Sequence, residues 1–343
     1  MTDDAPPLAG LRILDLTRLL PGPLATRRLA EWGAEVIKIE GPESDGQDDG
    51  TRHMGRTADD VAAGRPGLTF RMLNEGKTLQ RLDLRAAAGR DALIDMARTA
   101  DVLIEGFRPG VMARLGLGWP VLHAANPRLV MAAISGYGQQ GPWSQRAGHD
   151  INYIAMAGVL EQIVTPDGEI AVPNFQIGDL LGGTLAALSG VLAAVVGAQR
   201  TGQGRYVDIS MTHEVLRHHV LAVAALATTG RVPAPGRDLL SGGAPCYGVY
   251  RTADGRHLAV GALELKFWQR LCAALQQPAW PSRHWSLGEA PGSAPALALR
   301  AEVAALIARD TLEGWLQRLD GVDCCVTPVL RLDEAQRHPL FSA

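Results

Sequence analysis

The amino-acid sequence predicts an α/β protein, in which a large Rossmann-like domain with a mostly parallel sheet precedes a smaller α+β domain. Short apolar runs typical of strands alternate with amphipathic helical patterns through the first part of the chain. After residue 180 an Ala- and Gly-rich helical stretch appears, and a hairpin signal follows further on. The chain has 343 residues, which is long for one core and favours two domains.

The first elements form a strand–helix–strand unit. Residues 11–17 alternate between apolar and polar positions and are bounded by a glycine and a proline, which predicts a strand. Residues 22–35 predict a helix with Gly33 near its end, and residues 36–40 predict the next strand.

The same pattern continues after an interruption. Residues 41–71 are polar and Gly-rich and predict a long surface loop, either mobile or covering a ligand. Strands are then predicted over residues 81–85, 101–107 and 128–138, with a helix over residues 86–100. This regular alternation predicts a parallel sheet.

The second half of the chain has a different character. Residues 180–198 are apolar and long enough for a membrane span, but Ala and Gly dominate them and an aspartate precedes them. We therefore expect a buried, closely packed helix. Residues 213–230 also predict a helix, the Ala-Asp-Gly at 253–255 predicts a hairpin, and two helices are expected over 266–275 and 296–319.

These changes in pattern define the predicted domains. We expect a large domain over residues 1–210, a helical linker over 211–235 and a small α+β domain over 236–330.

Composition limits the partners and the compartment. The 33 basic and 36 acidic residues give a formal charge of −3, which offers no general reason to expect nucleic acid or a membrane as partner. The four cysteines include an adjacent pair and have no zinc-site spacing. The N-terminal residues are acidic and Pro-rich, unlike an export signal, so we expect a cytoplasmic protein.

Common nucleotide, hydrolase and metalloprotease motifs are missing from the sequence. The first strand-to-helix turn is not G-x-G-x-x-G, and there is no Walker A motif, G-x-S-x-G elbow or H-E-x-x-H. Instead, Arg108 and Arg114 follow a predicted strand, where open α/β sheets bind ligands. Their planar guanidinium groups suit phosphate, although ordinary surface arginines at a helix start explain this motif equally well.

Asp179 stands at the beginning of the long apolar helix. By itself the position favours a helix N-cap over a catalytic carboxylate, and the two roles are compatible. A helix start with Gly182 and Gly183 nearby also offers N–H groups that could receive a developing oxyanion.

His149 lies 30 residues before Asp179, in the stretch AGHDINY. A lone histidine is more often a packed, hydrogen-bonded residue than a catalyst. Asp150 cannot easily orient the ring, because adjacent side chains point in different directions. A metal site would need further ligands at suitable spacing, so we expect no bound metal.

Taken together, several motifs resemble those of the class III CoA-transferase (CaiB/BaiF) superfamily, and within it the α-methylacyl-CoA racemase branch. The shared blocks are LRILDLTRLLPGPLA, GAEVIKIEGPE, DVLIEGFRPGVMARLGL, SGYGQQGP, AGHDINY, GDLLGG, GAPCYGVYRTADGRHLAVGALELKFW and CCVTPVL. AGHDINY and the GALE block are the ones that resemble the racemase branch.

The resemblance implies a catalytic role for His149 and Asp179 as acid and base, with Glu264 as a third carboxylate. Inverting the carbon beside a thioester carbonyl needs one proton-transfer group on each face of that carbon, and these residue types suit the task. The resemblance also implies an interlocked homodimer with shared active sites, in which Glu264 acts in the other copy's site.

The resemblance further implies a binding site for coenzyme A, which enters as part of an acyl-CoA thioester substrate and is not a permanent cofactor. The residues it assigns to this site are Leu82, Asp83, Leu84, Arg85, Gly106, Phe107, Arg108, Arg114, Gly148, Asp150, Ile151, Asn152 and Tyr153. Met156, Ala157 and Gly158 suggest an adaptable wall for a branched acyl group.

Three features depart from the racemase pattern. Gly41 occupies the position of a CoA-binding arginine, and the segment 41–71 is longer than in racemases and closer to the transferase branch. Residues 331–343 resemble the start of a C-terminal return segment that is cut short, which predicts a cost in stability and activity.

Two other functions stay open. In a class III CoA-transferase, Asp179 would be the nucleophile, forming a mixed anhydride before CoA passes to an acceptor acid. Since only inversion needs a proton donor opposite the carboxylate, His149 favours the racemase. The other alternative is an acyl-CoA binding protein without turnover, which Gly41 and the short C-terminus favour.

Overall fold

A computed structural model describes residues 5–42, 48–165, 167–232 and 234–341. The chain divides into two compact units: Met1–Leu160 with Val172–Val220, and Glu161–Ala171 with Leu221–Ala343. The predicted boundaries at residues 210 and 235 stay predictions.

The first unit is built on a six-stranded sheet in which every neighbouring pair is parallel. The strand order is β3-β2-β1-β4-β5-β6, so the connections change direction between β1 and β4. The strands are β1 (Arg12–Leu16), β2 (Glu35–Glu40), β3 (Thr78–Arg81), β4 (Val102–Glu105), β5 (Val130–Ser135) and β6 (Tyr206–Ser210).

Helices cover both faces of this sheet, because its central strands are apolar on both sides and must be buried twice. In chain order they are α1 (Pro21–Glu31), α2 (Ala58–Ala62), α3 (Leu68–Asn74), α4 (Ala87–Ala97), α5 (Val111–Arg114), α6 (Trp119–Ala125), α7 (Asp150–Met156), α8 (Ala186–Thr201) and α9 (Met211–His218). A helical segment with π-type bonding, Gly178–Leu185, leads directly into α8.

The second unit contains a three-stranded antiparallel sheet in the order β7-β8-β9. Its elements are β7 (Tyr247–Arg251), β8 (His257–Gly261), β9 (Val326–Pro328), α11 (Leu265–Ala274), α12 (Ala294–Ile307), α13 (Leu312–Leu319) and α14 (Leu332–Ala335); α10 (Val220–Thr229) precedes them. The hairpin predicted at residues 253–255 joins β7 and β8 as expected. The α/β class with a large parallel and a small antiparallel sheet is thereby confirmed.

Four predictions of local structure were wrong. The single helix expected over residues 213–230 is two helices, α9 and α10, because the backbone leaves the helical conformation at His219. The strand expected over residues 81–85 is Thr78–Arg81, and the chain turns afterwards because the Asp83 side chain accepts the N–H of Arg85 at 2.9 Å. The single helix expected over residues 296–319 is two helices, since Thr311 caps α13 and ends the run.

The fourth correction concerns the loop expected over residues 41–71. Residues 43–47 lie outside the described residues, but the remainder contains a short 3₁₀ turn (Gly50–His53), α2 and the start of α3. Polar side chains organise this segment. Buried Asp60, for example, caps α2 with Thr57 and pairs with Arg65 and Arg71 at 3.1 and 3.0 Å.

The apolar stretch, expected to be a buried, closely packed helix, is helical and packs one side against the core. Val191 and Ala194 pack into the main core, whereas Leu185 and Val196 are exposed. Within the described residues, Gly178–Thr201 is the one helical stretch with the length and apolarity of a membrane span, a weak indication that core helices also give.

Candidate active site

Two cavities in the first unit lie at the carboxyl ends of its strands, around the point where the strand order changes direction. This is where open α/β sheets bind ligands. The His149 cavity has a volume of about 500 Å³ and is lined by the loops after β1, β4 and β5. The Arg114 cavity has a volume of about 760 Å³ and is lined by the loops after β1 to β4. Arg18, Leu19, Gly106, Phe107 and Arg108 line both cavities and form the wall between them.

His149 is the residue immediately before α7. Its N–H donates to Oδ1 of Asn152 at 3.0 Å, and the N–H of Asn152 donates to the carbonyl of His149 at 2.8 Å. These reciprocal bonds fix the backbone at the helix start. The His149 side chain is exposed and faces the cavity, so the residue begins the helix and also presents its ring to a ligand.

Asp179 lines the same cavity from the π-type segment, and its N-cap interpretation was wrong. The segment begins after Ile177, and the N–H of Asp179 donates to Oδ1 of Asp150 at 2.9 Å. The Asp150 carboxylate therefore accepts a backbone N–H at the N-terminal end of this helical segment. The Asp179 carboxylate has no hydrogen-bond partner within residues 5–42, 48–165, 167–232 and 234–341 and remains available to a ligand.

The oxyanion donors expected at this helix start are already in use. The N–H of Asp179 bonds to Asp150, and the N–H of Leu180 bonds to the carbonyl of Gln176 at 2.9 Å. Neither N–H group points to a ligand. The cause is that the helical bonding starts before Asp179, so this residue lies inside the first turn.

The surroundings of Asp179 raise the pKa of its carboxyl group. Burial, together with the nearby Asp150 charge, raises the pKa of its carboxyl to about 6, and His149 opposes the rise. A carboxyl with this pKa is available in both protonation states near neutral pH. His149 and Asp179, from two different elements, thus interact electrostatically across one cavity.

Aromatic packing supports the His149 side of the cavity. The Tyr153 hydroxyl donates to the carbonyl of Gly148 at 2.5 Å, and its ring meets Tyr137 edge-on at 5.4 Å. A Cβ at Gly148 would lie 2.7 Å from the Tyr137 hydroxyl and 2.8 Å from the Tyr153 ring. Only glycine allows this close approach of the chain before His149.

The loop after β1 is held by a buried ion-pair network. Lys77 Nζ lies 3.0 Å from Asp15 Oδ2, and Lys38 Nζ lies 3.5 Å from Asp49 Oδ2, with all four side chains essentially buried. Asp49 also accepts the N–H of Leu19, a residue at φ 66°. Such left-handed backbone in a bulky residue is strained, and it occurs here in the wall between the two cavities.

The Arg114 cavity gathers most of the residues that the resemblance assigned to CoA. Those lining it are Leu82, Asp83, Leu84, Arg85, Gly106, Phe107, Arg108 and Arg114. Gly148, Asn152 and Tyr153 line the His149 cavity instead. Gly41 and the backbone around it also line the Arg114 cavity, so this position borders the site without supplying a charge.

Three predicted site residues are not in either cavity. Asp150 positions Asp179 through the hydrogen bond described above, and Ile151 is an exposed residue of α7 outside the lining. Glu264 lies in the second unit, where it precedes α11 and is exposed. The residues suggested as an acyl wall, Met156, Ala157 and Gly158, do not line the His149 cavity, and that suggestion stays a prediction.

The sequence interpretation missed several lining residues. Thr17, Arg18, Leu19 and Arg146 line the His149 cavity. The signal that could have found the first three is their place directly after β1, at the change in strand order. No group of three or more potential metal ligands occurs within the described parts of the chain.

The parallel sheet with two cavities at the carboxyl ends of its strands defines a ligand-binding protein of the α/β class, and comparison with known proteins gives the family. The model of CoA-transferase family III matches residues 8–343, so the chain belongs to that family. Human alpha-methylacyl-CoA racemase is 34% identical over 334 residues, covering 96% of this chain and 80% of the racemase.

Transferases are comparably similar. The acetyl-CoA:oxalate CoA-transferase of Acetobacter aceti is 32% identical over 349 residues, covering 100% of this chain and 87% of the transferase. A crystal structure of Rv3272 from Mycobacterium tuberculosis superimposes with a TM-score of 0.79 at 29% identity, covering 98% of this chain and 88% of that protein. Members of the family act on CoA thioesters, and both reaction types occur among these relatives.

Proposed function

We propose that this chain is a racemase that inverts the α-carbon of 2-methylacyl-CoA thioesters by two-base proton transfer. The observation that carries the proposal is the placing of His149 and Asp179 in one cavity, on separate elements, with the pKa of Asp179 raised to about 6. The similarity to human alpha-methylacyl-CoA racemase supports it.

The chemistry follows from those two side chains. One of them, as base, removes the α-proton, and the C–H electrons move into the thioester carbonyl to give an enolate. The other, already protonated, returns a proton to the opposite face of the α-carbon. In the reverse direction the roles exchange. Asp179 suits both directions because its raised pKa makes the acid and the carboxylate similarly available near neutral pH.

The Arg114 cavity would hold the CoA portion of the substrate. Arg85 and Arg114 line it without lining the His149 cavity, and guanidinium groups bind phosphate through paired hydrogen bonds. The thioester would then pass the shared wall at Phe107 and Arg108 and bring the α-carbon into the His149 cavity.

A CoA-transferase is the second candidate. Its support is the Asp179 carboxylate, which lines the cavity without a hydrogen-bond partner among the described residues and could attack a thioester carbonyl. The similarity to the acetyl-CoA:oxalate CoA-transferase also supports it. The presence of His149 in the same cavity favours the racemase, since inversion needs a second proton-transfer group and attack by a carboxylate does not.

One incubation separates these candidates. The protein is mixed with (R)- and (S)-2-methylacyl-CoA in D₂O without any acceptor acid, and deuterium at the α-carbon and configuration are followed together. The racemase incorporates deuterium and loses configuration. The absence of exchange, followed by CoA transfer once a carboxylic acid is added, would contradict the racemase and establish the transferase. Binding without either reaction would indicate an acyl-CoA binding protein.

We also propose that the protein is a homodimer in which Glu264 acts in the site of the other copy. Exposed apolar residues support an association surface: α10 has no buried residue, and Leu221 and Val220 are 68% and 60% exposed. Mixing inactive His149→Ala and Glu264→Gln chains tests the sharing of sites. Mixed dimers would regain about one functional site, whereas a monomeric enzyme would regain none.

A cytoplasmic location is proposed on the chemistry of the cysteines. Cys246, Cys272, Cys324 and Cys325 are all free thiols, which suits a reducing compartment. Cell fractionation with an untagged chain tests this, and recovery from an oxidising compartment would contradict it.

A further inference from the structure

The charged groups that line the His149 cavity are mostly cationic. Arg18, Arg108 and Arg146 line it, and among the described residues Asp179 is the one carboxylate in the lining. Arg18 and Arg108 belong to the wall shared with the Arg114 cavity, whereas Arg146 lines the His149 cavity alone. A purely aliphatic acyl group gives such a cation no partner.

Arg146 is held in place by aromatic side chains. Its guanidinium carbon lies 5.5 Å from the Trp143 ring centroid, and Trp143 packs against Tyr137 at 5.5 Å. Tyr137 in turn contacts Tyr153, the residue that bonds to Gly148 beside His149. A cation–π contact uses the face of the ring and leaves the guanidinium N–H groups free to donate to an acceptor.

No protein carboxylate occupies that edge. Within the described ranges, Arg146 and Arg108 each lack an acidic side chain at ion-pair distance, although many other arginines of this chain have one, such as Arg52 with Glu40. Asp179 is in the same cavity and does not pair with either arginine. Arg146 therefore lines the cavity without an ion-pair partner among the described residues.

We propose that Arg146 binds a second carboxylate on the acyl group, so that the preferred substrates are monothioesters of dicarboxylic acids with CoA. The inference rests on the proposed function for the identity of the cavity as the acyl site. Arg146, His149 and Asp179 line one cavity, so an acyl carboxylate bound by Arg146 lies in the same cavity as the proton-transfer pair. Arg85 and Arg114 in the neighbouring cavity would serve the CoA phosphates.

A matched pair of ligands tests this. In 2-methylglutaryl-CoA, esterified at the carboxyl next to the methyl branch, a distal carboxylate replaces the terminal methyl group of 2-methylpentanoyl-CoA. Calorimetry on the full-length protein gives the Kd of both thioesters and of free CoA. We expect the wild type to prefer the acid thioester by about tenfold or more, the usual worth of a charge-assisted hydrogen bond.

Variants separate the acyl role from CoA binding. Arg146→Gln should remove the preference and leave the Kd of the methyl analogue and of free CoA unchanged, and Arg146→Lys should retain part of it. Arg114→Gln is the control and should weaken all three ligands alike. The proposal is overturned by an absent preference in the wild type, or by an Arg146→Gln variant that weakens all three equally. Because binding needs no turnover, failure of α-proton exchange would refute the racemase without affecting this result.

Discussion

Asp15 is buried and Asp179 half-buried in the first unit, and their surroundings shift the pKa of the two carboxyls in opposite directions. Asp15 is fully buried, with Lys77 Nζ at 3.0 Å and hydroxyl donors from Thr17 and Thr26 at 2.5 and 2.6 Å. Burial alone would raise its pKa, but the two buried lysines and these hydroxyls together hold the pKa well below its usual range.

Asp179 has the opposite environment. Its nearest charged neighbours are another carboxyl, Asp150, and the exposed His149, and burial is the largest cause of its pKa of about 6. The comparison shows how one residue type takes two roles. A carboxylate surrounded by donors and cations is fixed in one ionisation state and serves the fold, whereas a half-buried carboxyl without such partners can change state and serve the reaction.

The largest expected effect is on the reaction. Asp179→Asn removes a proton-transfer group, and we expect the rate of α-proton exchange to fall about 10²- to 10⁴-fold. The free energy of unfolding should not fall, because the Asn amide carries no charge to desolvate. Exchange in D₂O and urea unfolding measure the two quantities, and wild-type exchange in the folded variant would remove Asp179 from the mechanism.

The largest effect on stability is expected at the other carboxylate. Asp15→Asn leaves Lys77 buried without its counter-charge, and breaking such a pair costs about 3–5 kcal/mol. Denaturant titration of the first unit's transition gives the value. A loss below about 1 kcal/mol would mean that the network does not stabilise the loop after β1.

The pH dependence of stability should have opposite signs at the two sites. The folded-state pKa of Asp179 is raised from 3.8 to about 6, so the wild type should lose stability relative to Asp179→Asn as the pH rises through this window. Allowing for partial exposure, we expect a loss of about 1–2 kcal/mol. The folded-state pKa of Asp15 is depressed, so its contribution is present above its usual value and is lost as the pH falls. Unfolding series from pH 3 to pH 8 on both variants give the two slopes, and equal signs would contradict the comparison.

A smaller loss of unfolding free energy is expected when a single hydroxyl group is removed. Thr26→Val removes one donor to Asp15 and should cost about 1.5–3 kcal/mol, less than removal of the carboxylate itself. Ser at this position keeps the hydroxyl and is the matched control. If Thr26→Ser destabilises as much as Thr26→Val, packing of the Thr26 methyl is responsible for the loss.

The smallest expected effect is a shift in the pKa of Asp179 when its neighbour Asp150 is changed. Asp150→Asn keeps an oxygen for the Asp179 N–H and removes the like charge, so the pKa of Asp179 should fall. The rate of the half-reaction that uses ionised Asp179 should then rise at lower pH than in the wild type. A profile that does not move would mean that burial alone sets the pKa.

Much of the fold was readable from the sequence because the parallel strands are continuous apolar runs between turn residues. The position of β3 was misjudged because Leu82 and Leu84 extend the alternating pattern beyond the point where Asp83 turns the chain. The helices of the segment after β2 were missed for another reason. Their bounds depend on side-chain contacts between distant residues, such as Arg71 with Asp60, which no local periodicity reports.

The candidate site was readable in part. His149 and Asp179 came from their motifs, and most of the residues assigned to CoA line one cavity or the other. Local sequence could not reveal that the Asp150 carboxylate accepts the N–H of Asp179 at the start of the helical segment, because this hydrogen bond joins residues 29 positions apart.

The most direct test of the central claim separates the two faces of the α-carbon. Deuterium incorporation from D₂O is measured for (R)- and (S)-2-methylacyl-CoA separately, with the wild type, His149→Gln and Asp179→Asn. If the two residues act as opposed bases, each variant should lose abstraction from one enantiomer and retain partial exchange without inversion for the other. Identical losses for both enantiomers in both variants would contradict the assignment of one base to each face.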